Sequence, residues 1–569
     1  MTDQISPPQP GIPQSGQHQA GRPARGLRLP DGWTVAAALI GIVVLAPLTS
    51  VLWIALNPTE NIWPHLMATV LPRYLVATLG LMGGVAVLSV LFGTGAAWLV
   101  TMYRFPGARF LGQGLLWPLA IPAYVGAYAL VDFFDYSGAL QVALRAMTGW
   151  QSAADYWFPE IRSPGAAAVV LAAALYPYVY LLARAAFREQ SGGQYEVARA
   201  LGAGPWAVFW RVGLPLARPA IATGVALAMM ETVADFGTVA HFGVQTLTTG
   251  IFTTWLTAGN AGGAAQIALV SMTLILLLLG LERAGRRGAR FHGSARQARP
   301  IAPQRLRGWR AGLALVFCAL PFAIGFVLPV AVMLAHALAK PEAWLSRDLG
   351  RALVNTLLVA GTAALVTVGA ALVLVYGVRL AGRGLPRRVL PLTALGYAAP
   401  GAVLALGLLV PLAGLDHRLA DAVLAVTGHD PGLLLTGTSA AIVLAYLVRF
   451  FGIAQGAVDS AFTRISPNLP LAARALGRSP GAVLRDIYLP MMRGSVATAL
   501  LIVFVDGVKE LPATLLLRPF NFNTLSTRVY ELASLERIGE AAPAALVVMA
   551  VGLVAVVLMG RGDGTAGRT

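Results

Sequence analysis

Five ionisable residues fall where a long apolar chain has no ordinary use for charge. Glu231 and Asp235 lie toward the end of one hydrophobic stretch, and Asp506, Lys509 and Glu510 lie toward the end of another, with Glu231 matching Asp506 and Asp235 matching Glu510 at an offset of 275 residues. A charged side chain near the middle of a bilayer costs about 3 kcal/mol or more, so such residues face water, face each other, or line a path. Lys509 is one turn from Asp506 and adjacent to Glu510, which lets local neutralisation account for the second set. No base lies in the stretch that holds Glu231 and Asp235. That leaves a pathway or gate, or a partner from the other set such as Lys509. Carboxylate oxygens suit a hard trivalent cation and a cationic organic solute equally. Of seven histidines only His241 is close to these motifs, and the single cysteine, Cys318, sits inside an apolar run where packing is its expected role. No His or Cys spacing describes a dedicated metal cage, so a metal site is left unassigned. No nucleophile with a neighbouring base appears either, and no catalytic residue is expected.

The medium follows from composition. Hydrophobic residues make up 57% of the chain, charged residues only 12%, and the mean hydropathy is +0.70. Soluble domains carry roughly 25% charged residues, so this is a polytopic membrane protein. The net charge of +17 comes largely from arginines between apolar runs, where they act as topology signals. No nucleic-acid partner is expected. A phosphate-cradling P-loop needs a Gly-Lys-Ser/Thr ending, and neither of the two lysines, Lys340 and Lys509, has that setting. An ATPase must be borrowed, or an ion gradient used.

The charged stretches belong to a larger repeat. Glu196 to Ile221 reads EVARALGAGPWAVFWRVGLPLARPAI, and Leu471 to Val496 reads LAARALGRSPGAVLRDIYLPMMRGSV. Ala198 to Gly202 recur as Ala473 to Gly477, and Leu214-Pro215 recur as Leu489-Pro490 with the same spacing from the glycine. Further upstream Ile121-Pro122-Ala123 pairs with Ala399-Pro400-Gly401 at an offset of 278. A period this long means two homologous halves in one chain. In each polar island the small residues allow close backbone approach. Gly202 and Gly477 are placed to end a helix in the left-handed conformation, and Pro215 and Pro219 fit the first turn of the following span.

Runs of about 20 apolar residues are found near 33–56, 74–101, 108–131, 164–187, 219–240 and 264–282, and again near 311–338, 352–379, 388–412, 432–456, 494–517 and 540–560. The expected fold is therefore all-α, with about twelve membrane-spanning helices in two six-helix halves. The expected organisation is a disordered tail over 1–30, a first half over 31–283, a basic linker over 284–310, a second half over 311–561 and a short tail over 562–569. Nine arginines between Arg283 and Arg310, with Arg104 and Arg109, place the linker, both repeated islands and both termini on the cytoplasmic side.

The pattern Glu-x-Ala-x-x-x-Gly, then a hydrophobic stretch, then Leu-Pro, resembles the EAA loop of permease subunits in binding-protein-dependent ABC importers. It is carried by Glu196, Ala198, Gly202, Leu214 and Pro215, and again by Ala473, Gly477, Leu489 and Pro490. The segments ADFGTVAHFGVQTLTTGIFTTW and KELPATLLLRPFNFNTLSTRVYE resemble the ferric-iron branch of that family, in which both halves often share one chain. The resemblance implies a non-enzymatic transport subunit of the bacterial inner membrane, bathed in lipid, whose two loops dock as short helices on two copies of an ABC ATPase. ATP is used by that partner and no cofactor is held by this chain. A periplasmic binding protein delivers the substrate, expected to be ferric iron. Thiamine, polyamine and sulfate-type permeases are the alternatives within the family, and an ion-coupled secondary transporter is the alternative outside it. One departure stands out: Leu471 replaces the acidic residue of the second loop, so the two docking sites are expected to differ.

Overall fold

The computed structural model describes residues 32–287, 303–381 and 390–565. The expected tail over 1–30, most of the 284–310 linker and the last four residues of the expected C-terminal tail lie outside the described residues. Eleven described helices are long and apolar enough to cross a membrane, and the bent pair Ala108–Ala120 and Ala123–Thr148 makes up to twelve. The all-α, two-half architecture expected from the sequence is present. A two-residue parallel pairing of Tyr103–Arg104 with Gln304–Arg305 is the only strand contact among the described residues.

Five spans differ from expectation, and proline explains most of the difference in four of them; the fifth, expected at 432–456, lies seven residues later at Ser439–Thr463, where Thr438 caps its start by accepting from the Ala440 amide. The span expected at 108–131 turns by 98°: the Trp117–Ala120 turn ends at extended Ile121, and Pro122 then opens the helix Ala123–Phe134. Pro118 and Pro122 withhold amide donors that an unbroken ladder would need. Its counterpart, expected at 388–412, becomes a short turn Leu395–Ala398, a break at Pro400, and the helix Gly401–Thr427. The spans expected at 219–240 and 494–517 start and stop earlier, at Pro205–Ala234 and Pro480–Lys509. Pro215 and Pro219 therefore lie within a running helix rather than in its first turn. Pro215 has no N–H for a carbonyl one turn back, and the helix widens to a π turn over Phe209–Gly213. Pro490 stands in the same relation to a π turn over Leu484–Tyr488.

The duplication extends to single hydrogen bonds. Thr78 Oγ1 accepts from the Leu247 amide at 3.1 Å and Thr356 Oγ1 from the Leu525 amide at 2.8 Å. Capping boxes at Thr246–Thr249 and Thr524–Thr527 open the equivalent helices Leu247–Phe252 and Leu525–Ser534.

The halves are not separate bundles. Ala37, Val44 and Leu48 of the opening helix Gly32–Leu56 are buried with Val359, Tyr376, Leu404 and Ile442 of the second half. Conversely Ala311, Cys318 and Phe322, from the helix Trp309–Phe322 that opens the second half, are buried with Trp98, Tyr176 and Phe187 of the first. Gly407 sets one of these approaches: a Cβ there would lie 2.2 Å from the Pro47 carbonyl oxygen. Gly407→Val is expected to lower the melting temperature of the purified protein, since overpacking costs about 1–3 kcal/mol. Gly414→Val, on the same helix with nothing within 4 Å of the added Cβ, serves as the control. Equal melting of the two variants would show that the close approach is dispensable.

Candidate translocation cavity and docking helices

Each repeated island folds as a short helix, Gly192–Ala200 and Asn468–Ala475, at the same place in its half. Both end alike. The Gly202 amide donates to Arg199 O at 2.9 Å and the Ala203 amide to Ala198 O at 3.0 Å, while the Gly477 amide donates to Arg474 O at 3.0 Å and the Arg478 amide to Ala473 O at 3.1 Å. This paired pattern is the Schellman ending, which needs a left-handed residue. Gly202 and Gly477 supply it with φ of 83° and 81°.

Aromatic residues hold these helices to the spans beneath. Trp98 packs edge-on against Phe187, Tyr195 and Phe209, with centroids 5.1–5.9 Å apart. Its repeat partner Tyr376 stacks on Phe462 and donates from Oη to Pro480 O at 2.7 Å. The outer faces are apolar and open: Val197, Leu201 and Trp206 on the first, Leu469, Leu471 and Leu476 on the second. Glu196 is exposed among the first set, and Ala198 and Ala473 are half-buried against the membrane side. Leu471 replaces the carboxylate with an exposed apolar side chain, so the second surface lacks the negative charge of the first.

The five charged residues come together. Glu231, Asp235, Asp506, Lys509 and Glu510 all line one cavity of about 170 Å³ between the halves. Asp235 and Glu510 have a second task there. Asp235 accepts from the amides of Thr238 and Val239, both at 3.1 Å, and from Thr238 Oγ1 at 3.0 Å. It thereby ends the long helix and starts Gly237–His241. Glu510 does the same for Pro512–Leu517, accepting from the amides of Ala513 at 3.0 Å and Thr514 at 3.1 Å. Helix starts carry partial positive charge, so each carboxylate is matched to its place.

The remaining charges are arranged across the halves. Lys509 Nζ lies 3.3 Å from Asp506 Oδ1 and donates at 3.1 Å to Leu119 O, at the broken segment of the first half. Tyr397 of the second half donates to Glu231 Oε1 at 3.4 Å. Arg449 also lines the cavity and donates at 3.2 Å to Ala399 O, at the equivalent break of the second half. Two cations thus seat on the carbonyl ends of two pseudo-equivalent turns, and both come from the second half. Arg449 and Tyr397 were missed in the sequence, although a lone arginine inside the apolar run 432–456 was a signal available there. Among the described residues no three His, Cys, Asp or Glu side chains are grouped to hold a metal ion.

Two pseudo-symmetric helical halves, a charged cavity on their shared face and a short exposed helix on each are the build of a membrane transport subunit. The family described as the binding-protein-dependent transport system inner membrane component matches residues 115–290 and again 368–562, and the chain belongs to it as a fused, two-half permease. It is multi-pass and of the inner membrane. It is 26% identical over 531 residues to the Fe(3+)-transport system permease protein FbpB 2 of Haemophilus influenzae, covering 92% of this chain and 96% of that one. The molybdenum transport system permease protein ModB of Escherichia coli K12 is 30% identical over 215 residues, 35% of this chain and 90% of that one. A probable sulfate transport system permease protein, cysT of Zygnema circumcarinatum, is 26% identical over 218 residues, 36% of this chain and 69% of that one.

Proposed function

We propose that this chain forms the complete membrane pore of an ABC importer for ferric iron, handed over by a periplasmic binding protein and driven by two copies of a separate ATPase docked at Gly192–Ala200 and Asn468–Ala475. The docking helices and both termini face the cytoplasm in this reading, and residues 31–283 and 311–561 are the two permease halves. Glu231, Asp506 and Lys509 line the route, with Asp235 and Glu510 shaping its wall.

The observation that carries the reading is the charge arrangement of the cavity. Four carboxylates line it against two cations, Arg449 and Lys509. An oxyanion would seek free amides at a helix start, but the starts of Gly237–His241 and Pro512–Leu517 are already filled by Asp235 and Glu510. The site favours a cation over molybdate or sulfate. Similarity along the whole fused chain to a ferric permease, against similarity over about one half to the oxyanion permeases, supports the same choice.

The test is uptake of radioactive iron by cells carrying this chain, its ATPase and a ferric-binding protein. Glu231→Gln is expected to lower uptake about tenfold at unchanged protein level, corresponding to roughly 1.4 kcal/mol. Full uptake by that variant would remove Glu231 from the route. Uptake of sulfate, molybdate, thiamine or a polyamine with none of iron would end the ferric assignment.

A further inference from the structure

The duplicated halves differ sharply along one helix face. On Ala123–Phe134, Tyr124, Tyr128 and Asp132 recur every four residues and so share a face. Their repeat partners on Gly401–Thr427, at the offset of 278, are Ala402, Leu406 and Val410. The partner of His241 on the following short helix, at the offset of 275, is Leu516. The second half fills the same helical positions with apolar side chains, so packing alone does not call for the polar ones.

These residues form consecutive stations. Tyr124 lines the charged cavity. Tyr128, 1% exposed, meets the His241 ring edge-on at 4.6 Å, and neither Tyr128 Oη nor His241 Nε2 has a hydrogen-bond partner among the described residues. Asp132 Oδ2 lies 2.8 Å from His336 Nε2, where both side chains are about one-third exposed. Eight residues of helix at 1.5 Å each make a line of about 12 Å from the cavity toward the end opposite the docking helices. Buried polar atoms without partners are costly and call for water or a ligand.

We propose that the outer limb of the translocation route runs along this one face of Ala123–Phe134, through Tyr124, Tyr128 with His241, and Asp132 with His336 of the second half, rather than down the pseudo-twofold axis. Phenol, imidazole and carboxylate groups in series suit a small hard cation shedding its water in steps. The identity of that cation rests on the ferric reading above; the course of the route does not.

Cysteine accessibility tests it in cells expressing the complete transporter. The sole native cysteine, Cys318, is fully buried, so Cys318→Ser is a suitable background. Tyr124→Cys, Tyr128→Cys and Asp132→Cys are expected to react with a charged, membrane-impermeant thiol reagent added from the periplasmic side. Ala402→Cys and Leu406→Cys, at buried positions of the second half, are expected to stay unlabelled. Equal labelling of both sets, or none of the first set, overturns the proposal. Tyr128→Phe, which removes only the hydroxyl, should cut iron uptake at least fivefold at wild-type protein level, and full uptake would overturn the relay. The expected labelling pattern in a transporter that carries no iron would refute the ferric reading and leave the route standing.

Discussion

Gly202→Asp and Gly477→Asp are each expected to cut substrate-stimulated ATP hydrolysis by the assembled transporter roughly tenfold to a hundredfold, with the permease still inserted. Both glycines hold a φ near 80° with open space around the missing Cβ, so the penalty is conformational rather than steric crowding. An ordinary residue pays about 1–2 kcal/mol in that region. A carboxylate at a helix C-terminus adds about 0.3–1 kcal/mol of dipole repulsion. Together these amount to about 1.3–3 kcal/mol against the docking conformation, which is the stated range at about 1.4 kcal/mol per tenfold. Asparagine is the residue that most often stands in for glycine at this helix-ending position and carries no charge against the dipole, so Gly202→Asn should retain most activity. An unchanged ATPase rate in both aspartate variants would remove these loops from coupling. Loss in the asparagine variant equal to that in the aspartate variant would point to the side chain's bulk instead.

Arg449→Leu should be the most damaging single change in the cavity. It takes away one of two cations facing four carboxylates and leaves the Ala399 carbonyl without its charged donor. Losing a hydrogen bond from a charged group costs about 2 kcal/mol, and the excess negative charge adds to this, so both melting temperature and iron uptake should fall, uptake by at least tenfold. Adding Glu231→Gln relieves the excess and should restore part of the stability. The measurement is a double-mutant cycle on thermal unfolding. Strictly additive losses would mean that Arg449 and Glu231 do not sense one another across the halves.

Much of this is legible in the amino-acid sequence. The repeat, most of the spans and the equivalence of Glu231 with Asp506 follow from hydropathy and fixed offsets, and the glycines at 202 and 477 announce their own backbone conformation. The breaks were harder. Asp235 and Glu510 read as membrane-embedded charges, yet each also ends one helix and begins another, because a carboxylate can draw in amides two to four residues ahead. Hydropathy cannot register that, so two spans were drawn through their own ends. Pro215 and Pro219 mislead in the opposite direction, since a helix that widens to a π turn at Phe209–Gly213 continues past residues that usually start one. Arg449 escaped notice because its partners, the Ala399 carbonyl and the cavity carboxylates, are distant in sequence or belong to the backbone.

The exchange of opening helices sets a timetable for synthesis. The helix Gly32–Leu56 is made first, yet the surface that buries Ala37, Val44 and Leu48 begins with the helix Arg347–Ala381. At about 5–20 residues per second, roughly 290 residues of waiting take about 15–60 s, during which small residues meant for a protein neighbour face lipid or the insertion machinery. Two separate chains would have to find each other within that interval. Fusion removes the search: the late-arriving surface is tethered to the helix that needs it.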